Sequence, residues 1–222
     1  MAKINIRKAK EKDIARVVEI YEKFLDYEIE NGTHSNWVKG LYPTEKNAKN
    51  GLAAGTLYVG ELEGMIIGSY IINHAQPKEY NKLQWQYKGE GDEVIVIHTM
   101  CMDVYQQGSG YGRQFVEFAM EYGRKQGCTT MRLDTADINT PAAKLYYKMG
   151  FHYVGKTDFF FEQAIPEDLI CFEYKLDGPM EFDKEDNLNR LMEDIGSLES
   201  GKTPREKTNA DKTQSLKSEK GN

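Results

Sequence analysis

Three glycines stand at alternate positions in the stretch QGSGYG, which begins at Gln107 and contains Gly108, Gly110 and Gly112. The stretch follows an apolar run, VIVIHTMCMDV, and precedes a segment with helical periodicity. Glycine adopts positive φ without steric cost and lets the backbone come close to a ligand. Unpaired N–H groups and the positive dipole end make the start of a helix a site for anions. The spacing therefore indicates a phosphate site, with a simple tight turn as the alternative.

Two common phosphate motifs fit this stretch poorly. A P-loop requires GxxxxGK[ST], and the lysine and hydroxyl residue are missing from those positions. A dinucleotide fingerprint requires GxGxxG, whereas the spacing here is GxGxG and Arg113 stands where the third glycine belongs. Asp134 does end the following strand, about where a ribose-binding acid would lie. Dinucleotide binding thus remains open as a weaker alternative.

The segments around the glycines predict strands and helices in mixed order. Period-2 or continuous apolar patterns predict strands in INIRKA, TLYVGEL, MIIGSYIINH, VIVIHTMCMDV, TMRLDTA, HYVGKTDFFFE and LICFEYKL. Glu63 and Gly64 join two of them in a predicted hairpin. Apolar residues at helical spacing predict one helix from Ile14, a weaker one with Thr44 as its N-cap, and a third after the glycines. A further helix is predicted with Thr140 as its N-cap and Pro141 at its first position. Helices interspersed among strands indicate an α/β fold with a mixed sheet.

Composition limits the classes of function that this chain can have. Its 222 residues are 40% hydrophobic with a formal net charge of −6, so one domain is expected, without general binding to nucleic acid or anionic membranes. Cys101, Cys128 and Cys171 are too few and too widely spaced for a disulfide framework or a CxxC metal site. Because no apolar stretch approaches the roughly 18 residues of a membrane span and no signal peptide is evident, the expected location is cytoplasmic.

The composition changes after residue 176. Residues 177–222 are charged and polar, and Phe182 is their only aromatic residue, so we expect a mostly disordered tail after a folded domain at 1–176. Part of this tail, 184–198, has four apolar residues at helical spacing: Leu188, Leu191, Met192 and Ile195. This pattern predicts a short helix that is docked on the domain, docked on a partner, or transient.

Three motifs in sequence order resemble the GNAT family of N-acetyltransferases. Gln107–Gly112 fits the signature [Q/R]-x-x-G-x-[G/A], and the strand residues Met100, Cys101 and Met102 precede it as the pantetheine-binding strand of the family does. One helix and one strand later, Asn139 and PAAKLYYKMGF are similar to the block N-x-x-A-x-x-L-Y-x-x-x-G-F. The resemblance implies a mixed, mostly antiparallel sheet flanked by helices, and acetyl-CoA as the co-substrate.

The resemblance also assigns residues to the coenzyme. In the family, backbone N–H groups of the glycine loop wrap the diphosphate, and the backbone of the preceding strand binds pantetheine. Carried over by motif, the coenzyme-binding residues are Met100, Cys101, Met102, Gln107, Gly108, Ser109, Gly110, Tyr111, Gly112, Arg113 and Asn139. No HxxxH or HExxH motif occurs, so no metal is expected.

Three residues are candidates for proton transfer. Tyr146 matches the family tyrosine that points at the coenzyme sulfur, which implies a general acid; taken alone, it would read as a core residue of its helix. His98 is the favoured general base, because it lies four residues before Met102, on the same face of a period-2 strand. Asp134 matches an acidic position of some relatives, and a water chain without a dedicated base is the remaining option.

The acceptor is predicted from aromatic residues in two loops. Trp37 and Tyr42 lie in the first loop and Trp85 in the second, where they either close over the core or wall a pocket. With acids such as Glu28, Glu30 and Glu79 at the rim, this pocket would suit a small cationic primary amine. A peptide or protein amine is the alternative acceptor, and a non-catalytic acyl-CoA-binding module is the alternative function. A homodimer is an option that the residues do not decide.

Overall fold

Seven strands form one sheet in the order β1-β2-β3-β4-β5-β7-β6 in the computed structural model, which describes residues 2–32, 34–161 and 165–196. The strands are β1 Asn5–Lys8, β2 Leu57–Leu62, β3 Met65–Asn73, β4 Val94–Met102, β5 Thr130–Ala136, β6 His152–Phe161 and β7 Ile165–Lys175. Neighbouring strands are antiparallel, except for the parallel pair β4 and β5. The predicted mixed, mostly antiparallel sheet is therefore confirmed.

Helices cover both faces of this sheet. Among the described residues they are α1 Ile14–Asn31, α2 Glu45–Ala53, α3 Tyr111–Gln126, α4 Thr140–Lys148 and α5 Lys184–Gly196. Buried side chains of α1 and α2 pack with Val59 and Cys101 on one face, whereas those of α3, α4 and α5 pack with Ile97 and Leu133 on the other. None of the helices in the described ranges is long and apolar enough to cross a membrane.

A β-bulge interrupts β4 in the middle of the predicted site. Ser69 pairs with Cys101 and Ile71 with His98, so two residues of β4 face one residue of β3, and Thr99 has a φ of 49°. An extra residue resets the alternation of side chains along a strand. Consequently Met102 packs into the same cluster as Ile97, and His98 points to the opposite face. The prediction that His98 and Met102 share a face is wrong for this reason.

Helix α5 packs on β6, the edge strand of the sheet. Its Leu191 and Ile195 are buried in the core that α3 also covers. Asn187 accepts a hydrogen bond from the Tyr153 N–H at 2.9 Å and donates one to the Tyr153 carbonyl at 2.7 Å. The amphipathic segment is thus a docked helix in this structure. The rest of the predicted tail, 197–222, lies outside the described residues.

Candidate active site

The parallel strands β4 and β5 are paired over only part of their length. Val94–Val96 pair with Thr130–Arg132, whereas β4 continues to Met102 and β5 to Ala136. A cavity of about 630 Å³ occupies the opening, with walls from both strands, from the start of α3, from α4, and from α1 with the loop after it. This opening leaves one edge of β4, from residue 97 onward, without a paired strand among the described residues.

The glycine stretch forms the wall of the cavity at the start of α3. Gly108 and Gly110 have φ values of 73° and 80°, and Gly110 is the N-cap residue of the helix. A Cβ atom at Gly108 would meet no atom within 4 Å, so the surface of the turn is open. Because the first N–H groups of a helix have no intrahelical partner, this wall has the chemistry of an anion site. Arg113 adds a cationic side chain there.

Most of the predicted coenzyme-binding residues face this cavity. Its lining includes Met100, Met102, Gln107, Gly108, Gly110, Tyr111, Gly112, Arg113 and Asn139. Two others are not part of the lining, namely Ser109 and Cys101. The Cys101 side chain is buried on the face that α1 covers, because the bulge at Thr99 leaves Cys101 and Met102 alternating across the sheet. Only the backbone of Cys101 can contribute to a ligand site on the cavity side.

Tyr146 is held in the cavity wall by the start of α4. The Asn139 side chain accepts a hydrogen bond from the Ala142 N–H at 3.2 Å and is the N-cap, so the prediction of Thr140 in that position is wrong by one residue. Tyr146 is 4% exposed and packs edge-on against Phe172 at 5.6 Å between ring centroids. Its hydroxyl makes no hydrogen bond to any residue that the structure describes. Burial, with a smaller contribution from Asp134, raises the pKa of this phenol, so it stays protonated.

Asp134 lines the same cavity from β5. Asp134 is partly buried, and its carboxylate accepts a hydrogen bond from the Tyr80 hydroxyl at 2.7 Å. Burial raises the pKa of Asp134 to about 6, and the hydrogen bond from Tyr80 acts in the opposite direction. A carboxylate with this pKa is ionised at neutral pH and accepts a proton more readily than an ordinary aspartate does.

His98 also lines the cavity, with its ring held by Asn73. The distance between His98 Nε2 and Asn73 Oδ1 is 3.0 Å, and the same Oδ1 accepts the Ala75 N–H. The ring nitrogen is therefore the donor, which fixes the neutral tautomer. Burial lowers the pKa of His98 to about 4. A group with this pKa binds a proton weakly near neutral pH, so His98 is a poorer proton acceptor there than a carboxylate with a pKa of about 6.

Aromatic side chains of α1 and of the loop after it also wall the cavity. Trp37 lies edge-on to both Phe24 and Tyr42, with ring centroids 5.5 and 5.7 Å apart. The Tyr42 hydroxyl is 2.6 Å from the Thr99 Oγ1 atom, which ties the loop after α1 to the bulge in β4. Trp37 and Tyr42 therefore lie where the sequence predicted a substrate wall.

Three elements that wall the cavity carry carboxylates, and we call these carboxylates its acidic end: Glu28 on α1, Asp134 on β5 and Glu167 on β7. Among the described residues of the lining, Arg113 at the start of α3 is the one lysine or arginine. Glu28 accepts hydrogen bonds from the His34 N–H and the Ser35 hydroxyl, which orders the loop. The carboxylates give this end a negative potential that suits a cationic ligand.

Three residues predicted for the acceptor pocket or its rim lie elsewhere. Trp85 is not part of the cavity lining, because its ring is stacked under the Arg132 guanidinium at 4.2 Å and its Nε1–H donates to the Tyr80 carbonyl. Glu30 is exposed on α1, and Glu79 lines a separate, smaller pocket. Of the acids predicted at the rim, Glu28 is in place.

The sequence interpretation missed Glu167 and the contact of Tyr80 with Asp134, and no local pattern marks either of them. Glu167 lies in a strand whose pairing was not predicted, and Tyr80 meets Asp134 across 54 residues of sequence. Within the described residues, no group of three or more His, Cys, Asp or Glu side chains could hold a metal ion.

Residues 17–151 match the acetyltransferase (GNAT) family. This match covers more than half of the chain, so the chain belongs to that family, and the class of enzyme is an acetyl-CoA-dependent N-acetyltransferase. Comparison with curated proteins gives no match.

Solved structures with the same fold include several acetyltransferases. The chain resembles yncA from Salmonella typhimurium, solved with its cofactor acetyl-CoA, at 18% identity and a TM-score of 0.58, over 82% of this chain and 99% of that one. A GNAT acetyltransferase from Streptococcus agalactiae matches at 18% identity and a TM-score of 0.63, over 78% of this chain and 95% of that one. Ribosomal-protein-alanine N-acetyltransferase from Brucella melitensis matches at 18% identity and a TM-score of 0.57, over 77% of this chain and 99% of that one. At these identities the likeness shows the fold.

Proposed function

We propose that the protein transfers an acetyl group from acetyl-CoA to a small primary amine that carries a second positive charge. The observation that carries this proposal is a cavity whose lining has two chemically different parts. The start of α3 contributes the glycine turn and Arg113, whereas α1, the loop after it, β5 and β7 contribute aromatic side chains and three carboxylates. An anionic coenzyme and a cationic acceptor would therefore bind to different parts of the lining and meet between β4 and β5.

The first part of the lining fits the coenzyme. The start of α3 and the positive-φ glycines offer backbone N–H groups to the diphosphate without side chains in the way. The free edge of β4 beyond Val96 offers further backbone groups to the amides of the pantetheine arm. Met100 and Met102 line the passage to the reaction centre, where the acetyl thioester would lie.

The reaction needs one base and one acid. Asp134 takes a proton from the ammonium group of the acceptor, and the neutral amine then attacks the carbonyl carbon of the thioester. A carbon–nitrogen bond forms and the carbon–sulfur bond breaks. Tyr146 donates its proton to the departing sulfur, and the second proton that nitrogen loses returns the phenol to its protonated form. One proton per turnover passes from Asp134 to solvent.

The acidic end indicates the acceptor. Asp134 serves the reacting ammonium group, and Glu28 and Glu167 add negative charge to the same lining, which would attract a second cationic group. Trp37 and Tyr42 can contact the carbon chain of such an acceptor and interact with its charge through their ring faces. A short diamine has this chemistry.

The test is an assay of free thiol released from acetyl-CoA in the presence of different amines. We expect turnover with short diamines at lower KM than with monoamines of the same length, and weak turnover with a peptide that has a free N-terminus. A peptide acetylated better than every diamine would reject the acceptor proposal. Coenzyme binding without thiol release across the whole panel would instead indicate a binding module.

A further inference from the structure

We propose that Tyr80 is a positioning residue, which orients the Asp134 carboxylate in the cavity and stabilises its ionised form. The inference rests on the proposed role of Asp134 as the base. Tyr80 itself is not part of the cavity lining, so it acts on the reaction through Asp134.

The contact has the geometry of a strong hydrogen bond. The Tyr80 hydroxyl lies 2.7 Å from Asp134 Oδ2, in the range of O–H···O⁻ bonds. Tyr80 is 2% exposed, and its ring packs against Trp85 at 4.8 Å and Phe159 at 6.1 Å between centroids. Packing against these two rings holds the Tyr80 ring in place. The position of the ring determines that Oδ2 of the carboxylate accepts the hydrogen bond.

Strand β5 holds the insertion that supplies Tyr80. The insertion is the segment between β3 and β4, residues 74–93, and Tyr80 lies in its short 3-10 helix Lys78–Lys82. Residues two apart on a strand share a face. Arg132 stacks on Trp85 and donates to the Tyr87 carbonyl at 3.0 Å, while Asp134 receives Tyr80. The insertion therefore lies across the face of β5 that carries both side chains.

A second set of contacts holds the far part of the insertion. The buried carboxylate of Glu173 accepts the Gln86 N–H at 2.8 Å and the Tyr87 N–H at 3.1 Å. It also contacts His152 Nδ1 at 3.0 Å. Two strands of the sheet thus fix the insertion, and Trp85 has a function as a support for Tyr80 in place of the predicted contact with substrate.

The surroundings make this hydrogen bond important for the charge of Asp134. The titratable groups that interact with Asp134 are Tyr80, Tyr146 and Cys171, and His98 on β4 and Glu167 on β7 also line the cavity. Among the described side chains, Tyr80 is the one hydrogen-bond donor to Asp134. Without the phenol, burial alone would act on the carboxylate, and its proton would be lost at higher pH.

The pH dependence of kcat/KM in the Tyr80→Phe variant tests the inference. We expect its acidic limb to move to higher pH by about one unit, the size of effect of one hydrogen bond to a charged group. We expect kcat to fall while the KM for acetyl-CoA stays the same. Tyr153→Phe is the matched control, because Tyr153 is also buried and also donates to a carboxylate, that of Asp194 on α5, away from the cavity. Its pH profile should be that of the wild type.

The Asp134→Asn variant separates the two proposals. A low rate in this variant, and no further loss when Tyr80→Phe is added, would show that Tyr80 acts through Asp134. An acidic limb that is unchanged in folded Tyr80→Phe, beside a low rate in Asp134→Asn, would overturn the inference and leave the base in place. A wild-type rate in Asp134→Asn would overturn the base itself.

Discussion

Asp134 and Tyr146 line one cavity from a strand and a helix, and burial, together with the nearby carboxylate, raises the pKa of the phenol. Burial acts on both groups in the same direction, since it disfavours the charged form of each. The protonation states at neutral pH differ because the two groups have different ordinary pKa values, 3.8 for the carboxyl and 10.0 for the phenol. The carboxylate reaches about 6 and can accept a proton near neutral pH, while the phenol stays protonated and can donate one. Neighbouring groups with separate pKa values are the usual arrangement of a catalytic acid and base.

Replacement of Tyr146 by Phe removes the proposed acid and little else. The hydroxyl has no hydrogen-bond partner among the described residues, so we expect an unchanged melting temperature. We expect kcat to fall on the order of 100-fold, the lower end of general-acid effects, with an unchanged KM for acetyl-CoA. Tyr147→Phe is the control, because the Tyr147 hydroxyl donates to the Lys184 carbonyl, outside the cavity. Equal kcat values in the two variants would exclude Tyr146 as the acid.

The Asp134→Asn variant should lose activity and gain stability at neutral pH. Burial raises the pKa of Asp134 from 3.8 to about 6. Between these pH values the carboxyl group is mostly protonated in the folded state and mostly ionised in the unfolded state. The contribution of Asp134 to stability is therefore greatest at low pH and disappears as the pH rises through 6. Relative to the wild type, the free energy of unfolding of the variant should increase by roughly 2 to 3 kcal/mol from pH 4 to pH 7.

Denaturant titrations at several pH values measure this difference. The exposed Asp177 gives a control, since Asp177→Asn should follow the wild type at every pH. A constant difference between Asp134→Asn and the wild type would show that Asp134 has no raised pKa in the folded protein.

A side chain at Gly108 should prevent binding of the coenzyme. Gly108→Val places methyl groups on the open surface of the turn, where the backbone would approach the diphosphate, and also strains a φ of 73°. Gly127→Val is matched in strain, because Gly127 has a φ of 83° and equally open surroundings, at the opposite end of α3. We expect calorimetry to show no acetyl-CoA binding in the first variant and wild-type affinity in the second. Similar affinities would remove the glycine turn from the coenzyme site.

The acidic end of the cavity should determine the choice of amine. Glu167→Gln keeps the shape of the side chain and removes its charge, so the KM for a short diamine should rise about tenfold, and the KM for a monoamine should change less. Asp168→Asn is the control, since Asp168 is the exposed neighbour on the same strand. The kinetic assay compares KM for both amines in both variants; an equal change for the two amines would contradict a second cation site.

The parts of the site that the sequence predicted are local. The glycine turn, Asn139 and Tyr146 belong to short motifs in which spacing alone sets the structure, and all of them line the cavity. The bulge at Thr99 has no such signal, because a β-branched residue at positive φ is held there by pairing with β3. The contact between Tyr80 and Asp134 was likewise unpredictable from spacing, since packing of the whole insertion on β5 creates it.

One buried amide contributes to the docking of α5 on β6, beside the buried Leu191 and Ile195, and its removal should destabilise the domain. Asn187 satisfies both backbone polar groups of Tyr153, as a neighbouring strand would do at the edge of the sheet. Asn187→Ala leaves the N–H and the carbonyl without their partner in a buried place, and we expect a loss of roughly 2 to 3 kcal/mol in the free energy of unfolding. Asn189→Ala, at an exposed position of the same helix, should cost far less. A docked α5 would place the boundary of the folded domain beyond 176. Equal stability of the two variants in denaturant would show that the two hydrogen bonds of Asn187 do not hold α5 on β6.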